Sequence, residues 1–131
     1  MPRKSVVPVP GISKPGGVWS TAVVVETQRL LFISGLLARD TAGTLVGVGD
    51  ISAQTKQVCE NLKASVEAAG GTLEDLVRVD VYITDMKHFD AIHAVRRGYF
   101  PKDPPASTMV EIKRFTHPDA LIEINAIAAL A

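Results

Sequence analysis

The run "LVRVDVYITD" alternates strictly, with Val77, Val79, Val81 and Ile83 on one parity and Arg78, Asp80, Tyr82 and Thr84 on the other. A period of two predicts a strand. "STMVEIKRF" and "ALIEINAIAAL" are two more alternating runs, parted by the turn "THPD". Upstream the period lengthens. Ile51, Thr55, Val58, Leu62, Val66 and Ala69 recur at three- and four-residue steps, which predicts a helix over 51–69. Asp50 is placed to cap its start and Gly70 and Gly71 to end it. A second helix runs from about Met86 to Phe100, capped by Asp85, with Phe89, Ile92, Tyr99 and Phe100 on its apolar side and Pro101 as its stop. Near the start, "VWSTAVVVE" (18–26) and the buried run "RLLFISGLLA", broken at Ser34 and Gly35, fit a hairpin turning near Thr27 and Gln28. Residues 1–17 hold four prolines and three glycines and predict an extended arm.

The resulting order is β-β-α-β-α-β-β, with room for one more short strand after Gly35. That is an α+β fold in a single domain over 1–131. Two helices cover only one face of such a sheet. Yet both parities of the last strand are largely apolar: Ile122, Ile124, Ala126 and Ala128 on one, Leu121, Ile127 and Ala129 on the other. A sheet facing water on one side alternates more cleanly than this. We therefore expect the second face to pack against other subunits.

Composition narrows the function. Apolar residues make up 47% and aromatics only 5%, so the core is built from Val, Ile, Leu and Ala. Lys plus Arg and Asp plus Glu are 14 each, a net charge of zero, which argues against a nucleic-acid-binding surface. The lone cysteine, Cys59, lies beside Val58 and Leu62 and reads as a small apolar filler; it has no disulfide partner and suits a reducing compartment. The start "MPRKSVVPVPGISKPGG" has the charges of a signal peptide, but Pro8 and Pro10 break its short apolar run. No apolar stretch is long enough to span a bilayer, and the expected location is the cytoplasm, away from membranes.

Few residues offer chemistry. Glu123 and Asn125 share a face with Leu121 and Ile127, and a carboxylate among apolar neighbours is either paired across an interface or working as a site acid that orients water. Ser107 stands where a proline-rich loop enters a strand, on one parity with Met109, Glu111 and Lys113. No GxSxG elbow surrounds it, so its plain role is a hydroxyl bonded to backbone. His88, His93 and His117 show no HExxH spacing, and no metal is expected. Arg96 and Arg97 read as a short solvated basic pair. "GVGD" precedes a helix but lacks the full GxGxxG, and reads as a loop.

The segments "WSTAVVV", "LLFISGLLA", "VGVGDISAQTKQVCENLKASVEAAGGTLEDLVRVDVYITDMKHFDAIHAV", "YFPKDPPAST" and "ALIEINAIA" together resemble the reactive intermediate deaminase family, RidA/YjgF, also called endoribonuclease L-PSP. The resemblance runs in order from about Lys14 to Ala128. It implies a chorismate-mutase-like fold, a mixed sheet with two helices on one face. It also implies a homotrimer with clefts between subunits, and small carboxylates as ligands. Active members hydrolyse enamines and imines to a 2-keto acid and ammonia without a cofactor. By position, the resemblance places Trp19, Ser34, Gly35, His93, Ser107 and Met109 around the ligand, and Glu123 where it positions or activates water.

Several positions depart from the family pattern. Where deaminating members read "PAR", this chain reads "PAS", so Ser107 stands in place of the arginine that grips the substrate carboxylate. A guanidinium holds a carboxylate with two charge-assisted bonds, and serine offers one neutral donor. Trp19 replaces a tyrosine, His93 an asparagine, and Met109 a small residue. Three readings follow: a hydrolase of an imine, enamine or related metabolite other than a simple 2-imino acid; a non-catalytic trimeric ligand-binding protein; and, least favoured by the zero net charge, a ribonuclease. Arg114 lies on the parity opposite Ser107. Arg96, one helical turn beyond His93, is the better candidate to supply the missing cation.

Overall fold

The computed structural model describes residues 3–131. Asp50 caps α1 (Ile51–Ala68), its carboxylate accepting from the Ala53 N–H at 3.0 Å. The predicted apolar stripe is the buried one: Ile51, Thr55, Val58, Leu62 and Val66 all face inward, joined by Cys59. Gln54 is also buried. Its amide donates to Gly47 O at 3.1 Å and Asp119 O at 2.9 Å and accepts from Leu121 N at 2.8 Å, pinning two loops to the helix. The chain then forms β4 (Leu76–Ile83), a 3₁₀ turn (Met86–His88), α2 (Phe89–Tyr99), β5 (Ala106–Glu111) and β6 (Ile122–Leu130). No helix among the described residues is long and apolar enough to cross a membrane.

With β3 (Arg29–Leu36), these strands make a four-stranded mixed sheet in the order β3-β6-β4-β5, in which β4 and β5 are parallel and the other pairs antiparallel. α1 lies against β3 and β6 and beside α2. Register aligns inward rows across the sheet: Ile33 with Ala126, Val79 and Ser107, then Ile124 with Val81 and Met109. The inward parity of β6, Ile122, Ile124, Ala126 and Ala128, is fully buried, as the alternation predicted. On β4 a bulge between Leu76 and Arg78 resets the phase, so Leu76 rather than Val77 is the buried residue there.

Three other expectations change. The first two β segments do not form a hairpin. β2 (Ala22–Val25) pairs with β1 (Lys4–Val7) in a separate two-stranded sheet, while β3 pairs with β6. The chain turns a corner at Thr27, whose hydroxyl donates to Leu130 O at 2.5 Å and accepts from Arg29 N at 3.1 Å, holding it to the end of β6. The order is therefore β-β-β-α-β-α-β-β. The arm expected over 1–17 contains β1, and its residues 1 and 2 lie outside the described residues. The Lys4 ammonium donates to the carbonyls of Leu76 at 2.9 Å and Asp103 at 2.6 Å, and Arg3 pairs with Asp75, so charge and hydrogen bonds strap the arm down.

The third change concerns β3. "RLLFISGL" is not buried throughout: Ile33 is 8% exposed, but Leu30 is 50% and Phe32 71% exposed on the face opposite the helices. Val110 of β5 is exposed on the same parity. Between these apolar patches a polar network crosses the face: Arg78 donates to Asp80 at 2.8 Å and Thr108 at 2.7 Å, and Asn125 donates to Asp80 at 3.0 Å. Asn125 is therefore a structural partner of Asp80.

Candidate functional site

Asp85 caps not α2 itself but the 3₁₀ turn before it, its carboxylate accepting from Lys87 N at 2.9 Å. Steps of four and three residues then place Phe89, His93 and Arg96 along one side of the helix. Opposite them stand Ser107 and Met109 on the inward parity of β5. A third wall comes from residues 17–20. Ser20 N donates to Pro105 O at 3.1 Å and its hydroxyl donates to Pro104 O, so the entry to β5 fixes this loop. Gly17 is required here, because a Cβ on it would meet the Trp19 ring and lie 2.8 Å from His93 Nε2. The result is a pocket of about 210 Å³ lined by Trp19, Phe89, His93, Arg96, Ser107 and Met109.

Its polar groups are unusually placed. His93 stacks on Phe89 with ring centroids 4.0 Å apart and meets the edge of Trp19 at 6.1 Å. Nδ1 of His93 lies 3.3 Å from Phe89 O and donates to it, which leaves Nε2 as a bare acceptor, buried and without a partner. Burial, with the Arg96 charge adding to it, lowers the His93 pKa, so the imidazole is neutral at pH 7. Arg96 is 1% exposed. Its Nη2 donates to Val18 O at 3.3 Å and Ser107 Oγ at 3.1 Å, while Nε is buried with no partner. Burial lowers its pKa, but a guanidinium stays protonated. No carboxylate among the described residues forms an ion pair with it.

Glu123 lies elsewhere. It sits on the outward parity of β6, opposite Tyr82. It lines a second pocket of about 490 Å³ with Gly35, Leu36, Asn61, Ser65 and Thr116, among others. Ser34 and Gly35 form the irregularity where the β3–β6 register shifts between Ile33 and Leu36. A Cβ on Gly35 would lie 2.7 Å from Glu123 Cδ, so a larger residue there would push the carboxylate aside. Ser34 is exposed beside this pocket and does not line it.

The seven sequence-predicted site residues thus divide. Trp19, His93, Ser107 and Met109 share one pocket; Gly35 and Glu123 share another; Ser34 neighbours the second. The pockets lie toward opposite edges of the sheet, one against β5 and one against β3. Arg114 is exposed beyond the end of β5. Arg96 is not half of a solvated pair but a buried wall of the first pocket. Phe89 was read only as an apolar helix residue; its four-residue offset from His93 was the signal that it is a pocket wall.

The sequence matches the endoribonuclease L-PSP family over residues 12–130. A RutC family protein of Pyrococcus horikoshii is 41% identical over 125 residues, covering 95% of this chain and 97% of that protein. Among solved structures, the Rid family protein YyfB of Yersinia pestis, described as of unknown function, superposes with a TM-score of 0.90 at 34% identity, over 98% of this chain and 99% of that one. RidA of an Antarctic Psychrobacter superposes with a TM-score of 0.74 at 29% identity, over 96% and 99%.

Proposed function

The chain belongs to the endoribonuclease L-PSP (RidA/YjgF) family with its chorismate-mutase-like fold, and from that premise we propose that it hydrolyses an enamine, imine or related small metabolite in a cleft between subunits. One observation carries this reading: the two sets of candidate residues lie toward opposite edges of one sheet. A head-to-tail contact between copies joins such halves, and head-to-tail contacts that close give rings. A ring of three, with the exposed Phe32 face turned inward, is the assembly we propose. It works without a cofactor, and the single buried Cys59 suits a reducing cytoplasm.

The chemistry asks little of the protein. An enamine first takes a proton on carbon to become an iminium ion. Water then adds its oxygen to the iminium carbon as the C=N pair moves to nitrogen. Glu123 of one subunit takes the proton that water gives up. Glu123 returns that proton to the carbinolamine nitrogen, the C–N bond breaks as the oxygen electrons form the C=O bond, the hydroxyl proton passes to Glu123, and ammonia leaves. A pocket of about 210 Å³ suits a small molecule and is too small for an RNA strand.

The test is ammonia release from a panel of imines and enamines generated in situ, 2-iminopropionate being the simplest. Turnover above the spontaneous rate, lost in Glu123→Gln, is expected. If nothing on the panel is turned over and yet small ligands bind, the protein is a ligand-binding member instead.

A further inference from the structure

Arg96 presents a physical problem. A guanidinium buried to 1% exposure, with no carboxylate paired to it among the described residues, is costly to keep. Two of its five N–H groups are used, on Val18 O and Ser107 Oγ. Nε has no partner, and Nη1 makes no hydrogen bond among the described residues. Ser107 has a complementary vacancy. Its oxygen accepts from Arg96, so its own O–H is left to donate, and no acceptor among the described residues takes it. The charge sits in a pocket whose other walls are Trp19, Phe89, His93 and Met109.

We propose that Arg96, acting with Ser107, is the anion-binding couple of this protein, and that it takes a small monoanionic carboxylate. This deepens the hydrolase reading and rests on it for the identity of the cleft. The arginine absent from the strand position is supplied from the facing helix instead, and the serine is what lets it in: a short side chain there leaves room for the guanidinium and accepts one of its protons. The carboxylate receives the Ser107 hydroxyl and a free guanidinium N–H.

Charge and size restrict the ligand. One cation neutralises one negative charge, and neutral His93 adds none, so a dianion would leave a net charge buried among aromatic rings. A pocket of about 210 Å³ suits a small ligand. His93 Nε2, the other buried side-chain atom without a partner among the described residues, is an acceptor, so a ligand that also carries an N–H or O–H fits better than one that does not.

Trp19 is the only tryptophan, so its fluorescence reports this pocket directly. The experiment titrates the full-length protein with pyruvate, with its neutral isostere pyruvamide, and with inorganic phosphate. Pyruvate is expected to bind, with pyruvamide and phosphate each at least tenfold weaker. Arg96→Gln should weaken pyruvate on the order of 30-fold or more. Arg96→Lys should retain part of the affinity, and Ser107→Ala should lose about fivefold. Arg96→Gln should also melt no lower than wild type, because it removes an uncompensated buried charge; a large fall in Tm would assign Arg96 a structural role and overturn the proposal. Equal binding of pyruvate and pyruvamide, or no pyruvate binding up to tens of millimolar, would overturn it too. Glu123→Gln separates the two ideas. Turnover lost with pyruvate affinity no weaker supports both. Arg96-dependent pyruvate binding without any imine turnover keeps the anion site and discards the hydrolase. Imine turnover whose KM is unchanged by Arg96→Gln keeps the hydrolase and discards the anion site.

Discussion

Phe32 tests the assembly. It is 71% exposed on the sheet face away from the helices, in register with Ile127. A phenylalanine side chain buries about 150–250 Å² when covered, and 71% of that is on the order of 110–180 Å². At about 25 cal/mol per Å² this contributes roughly 3 kcal/mol per protomer if a neighbour covers it. Alanine keeps part of that area, so Phe32→Ala should cost each interface about 2 kcal/mol, or about 30-fold in its dissociation constant. Phe32→Asp should go further, because it places an unpaired carboxylate in the contact. Sedimentation velocity decides the matter. Wild type should run at a multiple of the 14.0 kDa protomer at micromolar concentration, and Phe32→Asp at 14.0 kDa, with the circular dichroism of both unchanged. A wild type that sediments as the protomer at tens of micromolar would refute the reasoning. So would a Phe32→Asp variant that keeps the wild-type mass.

Other outcomes follow from single residues. Gly35→Ala places a Cβ 2.7 Å from Glu123 Cδ and must displace that carboxylate; kcat for imine hydrolysis should fall on the order of 100-fold with the melting temperature little changed. Cys59 is fully buried, and burial pushes its thiol pKa up to about 12, so it should resist a thiol reagent in the native protein at pH 8 and react at once in denaturant. His93 titrates lower in the folded state than unfolded, so the unfolded chain binds the extra proton first. Stability from this group should be complete above about pH 6.5 and decline as pH falls below it, and His93→Gln should flatten that part of a urea-midpoint-versus-pH curve. Gln54→Ala removes three hydrogen bonds at about 1 kcal/mol each, and should lower stability by about 3 kcal/mol, on the order of 10 °C in Tm.

Periodicity was legible wherever burial is one-sided. The stripe of α1 and the inward parities of β4 and β6 follow directly from spacing, because a residue on the wrong parity there would put a polar group in the core. Pairing was less legible. Nothing local distinguishes "AVVV" pairing with the next strand from "AVVV" pairing with residues 4–7; the decision rests on Lys4 and Thr27, which bond to chain 72 and 103 residues away. The outward residues of β3 misled for a related reason. Leu30 and Phe32 look like core because they are core-like, and the surface that would cover them belongs to no part of the described chain. The site divided in the same way. The structure brings Trp19, His93, Ser107 and Met109 together in one pocket and puts Glu123 in another of the same protomer, a division that no spacing in the sequence marks.

That separation ties the chemistry to the assembly. The lining of the Arg96 pocket described above comes from α2, β5 and the 17–20 loop of one protomer. The Glu123 pocket is likewise built from β3, β6 and α1. In the proposed ring, a ligand carboxylate on Arg96 and the Glu123 of a neighbour would meet across an interface, so the two negative charges would not share one protomer's pocket until the ring forms. The monomeric Phe32→Asp protein should then hold pyruvate through Arg96 nearly as well as wild type while releasing no ammonia from any imine. Were it to lose binding and turnover together, the anion pocket would itself need a neighbour. Were it to keep both, Glu123 would not be the group that handles water.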